Sequence, residues 1–300
     1  MRKEITVRVP ATTANLGPGF DCLGLALDLW NEAVFSLAEG ESRVEVSGEG
    51  AGHLAQDGNN HVLRAAALVY ERLGKPMPRL WVSCTNHIPL SSGLGSSAAS
   101  HWMGLLGANA IAGEPFNREE LLKLAIQLEG HPDNATAALL GGLVIVVEHE
   151  KCNWLVRHFE LPALRAVVVL PEIDLPTHAA REALPAQVAM KDAVFNIGRA
   201  ALVVEAFKQA DLRLLGEVMD DRLHQPYRLP LIAGAPEAMA AARQAGAVPA
   251  LSGAGPSVIA FTPGDPTPAG RAMMVAFQRA GVKARAFSLQ TSNRGAEVVH

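Results

Sequence analysis

Apolar and polar positions alternate in short runs along the chain, and these runs are interleaved with segments of helical periodicity. Short runs, mostly β-branched and only in part alternating, predict strands at residues 4–9, 33–37, 43–47, 80–88, 143–148, 166–170, 248–251, 258–261 and 283–289. The helical periodicity predicts helices at residues 61–73, 98–112, 118–129, 186–209, 236–244 and 269–280. Because the two kinds of segment alternate along the whole sequence, the pattern indicates a mixed α and β fold.

The chain has 300 residues, a length that suits one large or two medium domains. A turn predicted at Lys151-Cys152-Asn153 indicates a boundary between residues 150 and 165, so we predict domains of residues 1–157 and 158–300. Residues 291–300 form a polar tail, which we expect to fray.

Charge and composition narrow the class of protein. The formal net charge is −4, which argues against nucleic acid or an anionic membrane as the main partner. No apolar run approaches the ~18 residues that a membrane-spanning helix needs. The cysteines Cys22, Cys84 and Cys152 are widely scattered, which fits a reducing compartment and argues against a cysteine zinc site. We therefore expect a cytoplasmic protein without membrane or nucleic-acid partners.

Residues 89–100 carry the most specific chemistry in the sequence. This loop lies between a predicted strand and a predicted helix, and glycines and serines dominate it. Such a loop leaves backbone N–H groups free at a helix N-terminus, where the helix dipole favours an anion. The motif is neither the common P-loop nor a dinucleotide fingerprint. The alternative is a flexible connection between strand and helix, but the arrangement favours phosphate binding. The candidate phosphate-binding residues are Pro89, Leu90, Ser91, Ser92, Gly93, Leu94, Gly95, Ser96, Ser97 and Ala98.

Two segments of the first half add candidate polar groups. Asn15 and Asp21 lie in a loop after the first strand; they are either turn formers or groups that orient a polar substrate and receive an ammonium. Residues 129–134 form a turn constrained by glycine and proline. Glu129 could complete a magnesium site with a loop serine, and a solvated helix end is the alternative.

Two further signals come from the second half. Arg181 and Arg228 each follow a small or polar cluster, and each is either an ordinary surface charge or a bidentate ligand of a carboxylate or phosphate. Residues 250–258 form a second glycine-rich loop, whose glycines favour a close approach of backbone to the phosphate loop.

Taken together, these motifs resemble those of the GHMP kinase superfamily. Residues 89–100 resemble its glycine-serine phosphate loop, and residues 252–256 are similar to its C-terminal glycine motif. The other motifs resemble the homoserine kinase branch: ANLGPGFD at 14–21, EGHPDN at 129–134, THAAR at 177–181 and HQPYR at 224–228. The resemblance implies a two-domain α+β fold, with an N-terminal domain like ribosomal protein S5 domain 2 and a ferredoxin-like C-terminal domain.

The resemblance also implies roles for the matching residues. The phosphate loop would hold ATP, and Asn60 would lie near the adenine. Glu129 and Ser97, or Ser96 in its place, would bind Mg²⁺. The residues implied to surround the substrate, L-homoserine, are Asn15, Asp21, His131, Arg181 and Arg228. A homodimer is implied as well.

Asn134 and His131 are the implied catalytic residues, with Asn134 touching the hydroxyl that becomes phosphorylated. An amide cannot act as a general base, so we hypothesise in-line transfer by positioning, with the substrate proton leaving late. Two alternatives stay open: a GHMP-type kinase acting on another small alcohol, and a catalytically silent ATP-binding scaffold.

Overall fold

The strands of the computed structural model form two sheets, and the model describes residues 4–150 and 153–299. The first sheet contains β1 (Ile5–Ala14), β2 (Leu23–Leu37), β3 (Arg43–Gly48), β4 (Leu80–Asn86), β5 (Leu143–Glu150), β6 (Asn153–Phe159) and β11 (Glu297–Val299). The second contains β7 (Arg165–Pro171), β8 (Val248–Leu251), β9 (Val258–Thr262) and β10 (Ala284–Gln290). The predicted turn at Lys151 and Cys152 lies outside the described residues.

The first sheet has the order β11-β1-β2-β4-β3, and β2 also pairs with β5, which pairs with β6. Four helices accompany this sheet in the described chain: α1 (His61–Arg72), α2 (Ser96–Ile111), α3 (Arg118–Glu129) and α4 (Asp133–Leu140). Helix α2 packs against β1, α1, α3 and α4, and most of its residues are buried. Because α2 is central to this core, the loop that precedes it is held on a rigid element.

The second sheet has the order β10-β7-β9-β8, and all its pairs are antiparallel. Its helices in the described chain are α5 (Thr177–Glu182), α6 (Met190–Gln209), α7 (Leu212–Val218), α8 (Gln225–Arg228), α9 (Ala235–Gln244) and α10 (Thr267–Arg279). Counted along the chain, the strand order is 4-1-3-2 with helical crossovers after the first and third strands. This is the βαββαβ ferredoxin-like arrangement that the resemblance implied.

Several elements were not predicted. β2 begins at Leu23 instead of residue 33, because its first half is rich in leucine and alanine and is buried on both faces, which hides the alternation. Helix α4 begins directly after Pro132, inside the segment predicted as a turn, because proline is well tolerated where a helix starts. Strand β6 and the short helices α5, α7 and α8 were also missed.

The expectation that the tail frays is wrong. β11 pairs antiparallel with the edge of β1, with Thr6 opposite Val299 and Arg8 opposite Glu297. A pairing between the two ends of the chain leaves no local signal in a polar segment. The boundary predicted after residue 157 falls inside β6, and β11 returns to the first sheet, while the division into domains at these residues stays a prediction.

Candidate active site

Loops from both sheets enclose a cavity of about 200 Å³. Its walls come from the loop after β1, the loop before α2, the α3–α4 turn, helices α5 and α8, and the loop between β8 and β9. The lining residues that the sequence singled out individually are Asn15, Asp21, Ser91, Ser92, Gly93, Gly95, Ser96, Ser97, Glu129, His131, Asn134, Arg181 and Arg228. The structure thus brings most of the predicted residues together.

The phosphate loop can adopt its path only with glycine at two positions. Gly93 and Gly95 have φ of +76° and +70°, in the left-handed region. A Cβ on Gly93 would lie 2.2 Å from the carbonyl oxygen of Ser252, and one on Gly95 would lie 2.0 Å from Thr12 Oγ1. Helix α2 begins directly after Gly95, so the first-turn N–H groups of a long helix face the cavity side of the loop.

The second glycine-rich loop does approach the phosphate loop, as predicted. Ser252 Oγ lies 2.8 Å from the carbonyl oxygen of Gly93 and 2.9 Å from Thr13 Oγ1. Asn15 Nδ2 donates to the carbonyl oxygen of Gly253 at 2.7 Å. The contacts therefore join the N-terminal strand, the phosphate loop and the β8–β9 loop around one cavity.

Glu129 lies at the end of α3, beside the first turns of α2. Ser97 Oγ donates to Glu129 Oε1 at 2.7 Å, and His101 Nδ1 is hydrogen-bonded to the same oxygen. The His61 ring stacks on the His101 ring, with centroids 4.9 Å apart and planes 8° from parallel. Burial alone would raise the pKa of Glu129, but the hydrogen bonds and charges of His101, Ser97 and His131 outweigh burial and lower it. The carboxylate form of Glu129 is therefore favoured.

Ser97 and Glu129 fit a magnesium site in which phosphate and water supply the remaining ligands. Mg²⁺ prefers hard oxygen ligands and is usually held by one or two carboxylates together with substrate phosphates. Among the described residues, no cluster of three or more acidic, histidine or cysteine side chains could hold a metal by itself. A single carboxylate beside a hydroxyl at the phosphate loop therefore matches a Mg²⁺ site that substrate phosphates complete. Ser97, not Ser96, is the serine that contacts Glu129.

Asp133 organises the α3–α4 turn, within the segment that the sequence predicts as a constrained turn. It is 2% exposed, and its Oδ1 accepts from the Asn134 backbone N–H at 2.7 Å and lies 3.2 Å from His131 Nδ1. Burial would lower the pKa of His131, but the hydrogen bond and charge of Asp133, together with Glu129, outweigh burial and raise it. Asn134 Oδ1 accepts a 2.7 Å hydrogen bond from Thr12 Oγ1, which fixes the amide.

Asp21 and Arg181, from opposite halves of the chain, form a bidentate ion pair. Arg181 Nη1 and Nη2 each donate to a different carboxylate oxygen of Asp21 at 3.0 Å. The Asp21 side chain is 34% exposed and the Arg181 side chain is 38% exposed. Asp21 has φ of +54°, a rare conformation for a residue with a side chain, and the Asn15 side chain accepts from its backbone N–H at 3.0 Å. The carboxylate is thus held at the cavity wall by a constrained loop.

Arg228 is a buried cation with no carboxylate partner among the described residues. It is 1% exposed, its Nε donates to the carbonyl oxygen of Ala180 at 3.1 Å, and its Nη1 lies 3.3 Å from His224 Nδ1. Burial, and then the neighbouring Arg181 guanidinium, lower the pKa of Arg228. A buried charge is stable only when it is paired, so a guanidinium at the wall of this cavity is suited to an anionic ligand.

His224 supports Arg228 from behind. It is fully buried, its Nε2 lies 2.8 Å from the carbonyl oxygen of Gly17, and its ring stacks on Phe20. Because Nε2 must donate to that carbonyl while Nδ1 accepts from Arg228, the ring is the neutral Nε2–H tautomer. Burial is the main reason that the pKa of His224 is lowered.

Some predicted residues lie away from the cavity or have other contacts. Asn60 does not line it: this side chain caps α1 by accepting from the Val62 N–H at 2.9 Å and donates to the carbonyl oxygen of Ala55 at 2.7 Å. Within the phosphate loop, four residues do not line the cavity; these are Pro89, Leu90, Leu94 and Ala98.

The sequence reasoning missed His101, Thr12 and Asp133. His101 lies four residues after Ser97 and thus on the same face of α2, so helical spacing could have found it. Thr12 is brought to Asn134 by sheet geometry across 122 positions of sequence, which leaves no local signal. Among the described residues, no helix has the length and apolarity needed to span a membrane.

Comparison with protein families finds two matching regions, which contain the phosphate loop, the α3–α4 turn, helix α8 and the β8–β9 loop. Residues 60–142 match the GHMP kinases N terminal domain, and residues 203–276 match the GHMP kinases C terminal domain. A curated homoserine kinase of Moorella thermoacetica is 48% identical over 296 residues, which cover 98% of this chain and 99% of that protein. A homoserine kinase of Synechococcus sp. (strain CC9605) is 45% identical over 298 residues, covering 97% of this chain and 95% of that protein.

Solved structures agree over the full length. The homoserine kinase of Cytophaga hutchinsonii superposes with a TM-score of 0.88 at 31% identity, covering 100% of this chain and 98% of that one. Mevalonate diphosphate decarboxylase from Staphylococcus aureus superposes with a TM-score of 0.74 at 15% identity, covering 100% of this chain and 99% of that one, a likeness of fold alone. The fold class expected from the sequence is confirmed.

Proposed function

Since the chain belongs to the homoserine kinase family of the GHMP kinases, we propose that it transfers the γ-phosphoryl group of ATP to the side-chain hydroxyl of L-homoserine. The product is O-phospho-L-homoserine, and the reaction is a step of threonine biosynthesis. The observation that supports this substrate most directly is the set of opposite charges in the cavity beside the phosphate loop.

The charges suit a zwitterion. Asp21 offers an anion to an ammonium group, while Arg228 and Arg181 offer cations to a carboxylate. In the structure Asp21 and Arg181 satisfy one another, and Arg228 has no carboxylate partner among the described residues. An amino acid offers an ammonium to Asp21 and a carboxylate to the guanidinium groups, whereas a neutral sugar or mevalonate has no ammonium to offer Asp21.

Transfer relies on positioning more than on a strong base. Asn134 cannot remove a proton, and its amide oxygen is already engaged by Thr12. The raised pKa of His131 favours the protonated ring, which cannot accept a proton from the substrate and is suited to binding anionic groups. The transition state of phosphoryl transfer is loose and needs little activation of the nucleophile. Asn134 and His131 therefore orient the hydroxyl and the charges around it, and the substrate proton leaves late, to an oxygen of the transferred phosphoryl group.

The glycine-serine loop and the N-terminus of α2 bind the phosphates of ATP through backbone N–H groups. Ser97 and Glu129 are the residues that would hold Mg²⁺, which supplies positive charge to the phosphates when bound. His101 and the Ser97 hydroxyl keep the Glu129 carboxylate in place. The proposal also includes a cytoplasmic location, a homodimer, and adenine binding in the region of Asn60.

The test is ADP release with Mg·ATP and a panel of L-homoserine, mevalonate, L-serine, L-threonine and galactose. The proposal predicts strong turnover with L-homoserine alone. Turnover with another alcohol would keep a GHMP-type kinase and reject the substrate pocket. ATP binding without turnover of any alcohol would favour a catalytically silent scaffold.

A further inference from the structure

A second cavity, of about 460 Å³, is enclosed by α6, the turn before α8, α8 itself and α9. It shares no lining residue with the candidate active site, and the proposed function makes no use of it. Its volume suits a small organic molecule, since ligand pockets measure about 300–1,000 Å³. We call it the α6–α9 cavity.

Three arginines line the α6–α9 cavity, and one of them lacks a counter-charge. Arg222 pairs with Asp192 at 3.1 Å. Arg243 pairs with Asp220, also at 3.1 Å. The guanidinium of the half-buried Arg199 forms no ion pair or hydrogen bond with any described residue, and its Nε is buried. A charged group withdrawn from water needs a partner, so Arg199 is suited to an anionic ligand.

The ring of Phe195 holds two of these guanidiniums in place. The Cζ of Arg199 lies 3.4 Å from the ring centre, and the Cζ of Arg222 lies 3.8 Å from it. Carbon atoms this close can lie only over a face of the ring, and two of them cannot share one face, so the ring separates the two guanidiniums. Stacking fixes the plane of each group and leaves its N–H edge for a carboxylate. Because the side chains are already ordered, binding costs them little entropy.

The rest of the wall limits the chemistry of the ligand. Apart from Asp220, the acid at the wall is Asp221, whose side chain is fully buried. Its carboxylate already accepts from Asn196 Nδ2 at 2.7 Å and from the backbone N–H groups of residues 223–225. Apolar side chains line much of the remaining wall; these are Pro226, Leu229, Pro236 and Met239. One unmet positive charge beside an apolar wall suits a monoanion with an apolar body.

Helix α8 contributes to both cavities. Its first residues, Gln225 and Pro226, line the α6–α9 cavity, and its last residue, Arg228, lines the candidate active site. Gln225 Oε1 also accepts from the backbone N–H of Leu251 at 2.8 Å, where β8 enters the second glycine-rich loop. A ligand that packs against Pro226 therefore touches the same four-residue helix that carries the buried cation of the substrate pocket.

We propose that the α6–α9 cavity binds a small organic carboxylate with an apolar body, and that this ligand changes the affinity of the candidate active site for L-homoserine. The binding site is independent of the proposed function, whereas the coupling rests on it. Coupling between two sites is reciprocal, so L-homoserine changes the affinity for the carboxylate by the same factor.

Isothermal titration calorimetry with phenylacetate tests the site, and phenylacetamide is the neutral control of similar shape. We expect the wild-type chain to bind phenylacetate with a dissociation constant below about 1 mM. Phenylacetamide should bind at least about tenfold more weakly, because it lacks the charge that meets Arg199. Absence of phenylacetate binding, or equal binding of the two compounds, would overturn the site, and this comparison needs no variant to fold.

Two variants locate the bound carboxylate. Arg199→Gln should weaken phenylacetate binding at least about tenfold with unchanged circular dichroism. Arg213→Gln is the matched control, because Arg213 on the neighbouring α7 is 90% exposed and lies outside the cavity, and it should bind phenylacetate like wild type. Wild-type affinity in Arg199→Gln would overturn the site.

Titration of L-homoserine with and without saturating phenylacetate tests the coupling. The dissociation constant of L-homoserine should change at least about fivefold in the wild-type chain and stay constant in Arg199→Gln. No change in wild type would overturn the coupling, and so would the same change in both chains, which indicates direct competition at the active site. A chain that binds phenylacetate through Arg199 but does not bind L-homoserine would refute the proposed function, and the coupling with it, while supporting the carboxylate site.

Discussion

Replacement of Asp21 by asparagine tests the substrate pocket, since it keeps the size of the side chain and removes its charge. In the structure Asp21 pairs with Arg181 through two hydrogen bonds of 3.0 Å, but both side chains are about a third exposed. Solvent screening limits such a pair to about 0–1 kcal/mol of folding free energy. We therefore expect the variant to fold with a free energy of unfolding within about 1 kcal/mol of wild type.

The effect of the substitution on kcat/KM is larger than its effect on folding, because bound substrate removes water from the carboxylate. A hydrogen bond to a charged group contributes about 1.5–3 kcal/mol, so loss of the ammonium partner should lower kcat/KM for L-homoserine about 10- to 150-fold. The KM for ATP should change little, since the phosphate loop is untouched. Asp220→Asn is the matched control: Asp220 also pairs with an arginine, Arg243 at 3.1 Å, and lies away from the cavity.

The assay compares L-homoserine with 4-hydroxybutyrate, which has the same hydroxyl and carboxylate but no ammonium. Wild-type enzyme should prefer L-homoserine strongly, and Asp21→Asn should lose most of that preference. If the variant lost activity by the same factor on both acceptors, Asp21 would not be the ammonium ligand, and the assignment of the pocket charges would be refuted.

Three further predictions concern other parts of the site. Glu129→Gln should raise the Mg²⁺ concentration for half-maximal activity at least about tenfold, because loss of even a residue that only supports a metal ligand lowers metal affinity about 10- to 100-fold. A Mg²⁺ titration at fixed ATP checks this, and an unchanged midpoint would exclude Glu129 as a ligand. Gly93→Ala should destabilise the fold by about 1–3 kcal/mol in urea unfolding, because its φ is +76° and a Cβ would meet the Ser252 carbonyl oxygen; a wild-type midpoint would contradict this close approach. The pKa of His224 is lowered in the folded state, so below the ordinary pKa of 6.5 the unfolded chain binds a proton that the folded chain does not. The stabilisation that comes from a neutral His224 is therefore present above that pH and is lost as the pH falls, by up to about 1.4 kcal/mol per pH unit. His224→Gln should remove this part of the pH dependence of the free energy of unfolding in urea. An unchanged slope would count against a neutral buried ring.

Much of the fold could be predicted where local sequence carries the signal. Helix α3 was predicted with its observed bounds from helical periodicity, and its start is fixed locally by a capping box, in which both hydrogen bonds between Asn117 and Glu120 are present. β8 was predicted with its bounds from a short apolar run between turn residues. The first half of β2 and the pairing of β11 with β1 were not predicted, because burial on both faces and contacts between chain ends are set by the whole fold.

The candidate site divides in the same way. Its backbone parts, the glycines of the two loops, could be predicted because close approach and positive φ restrict the residue type. The partners of its side chains could not. Asp133 is buried and is hydrogen-bonded to His131 and Asn134, and Asp21 pairs with Arg181 across 160 positions of sequence. Distance along the chain hides such pairs, and only the packed structure shows which charges are already satisfied.

The most direct test is identification of the product by ³¹P NMR after incubation of the wild-type chain with Mg·ATP and L-homoserine. The account predicts a phosphomonoester on the side-chain oxygen of homoserine, formed in equal amount with ADP. Release of inorganic phosphate with ADP, or no conversion of ATP while ATP still binds, would contradict the proposed kinase activity.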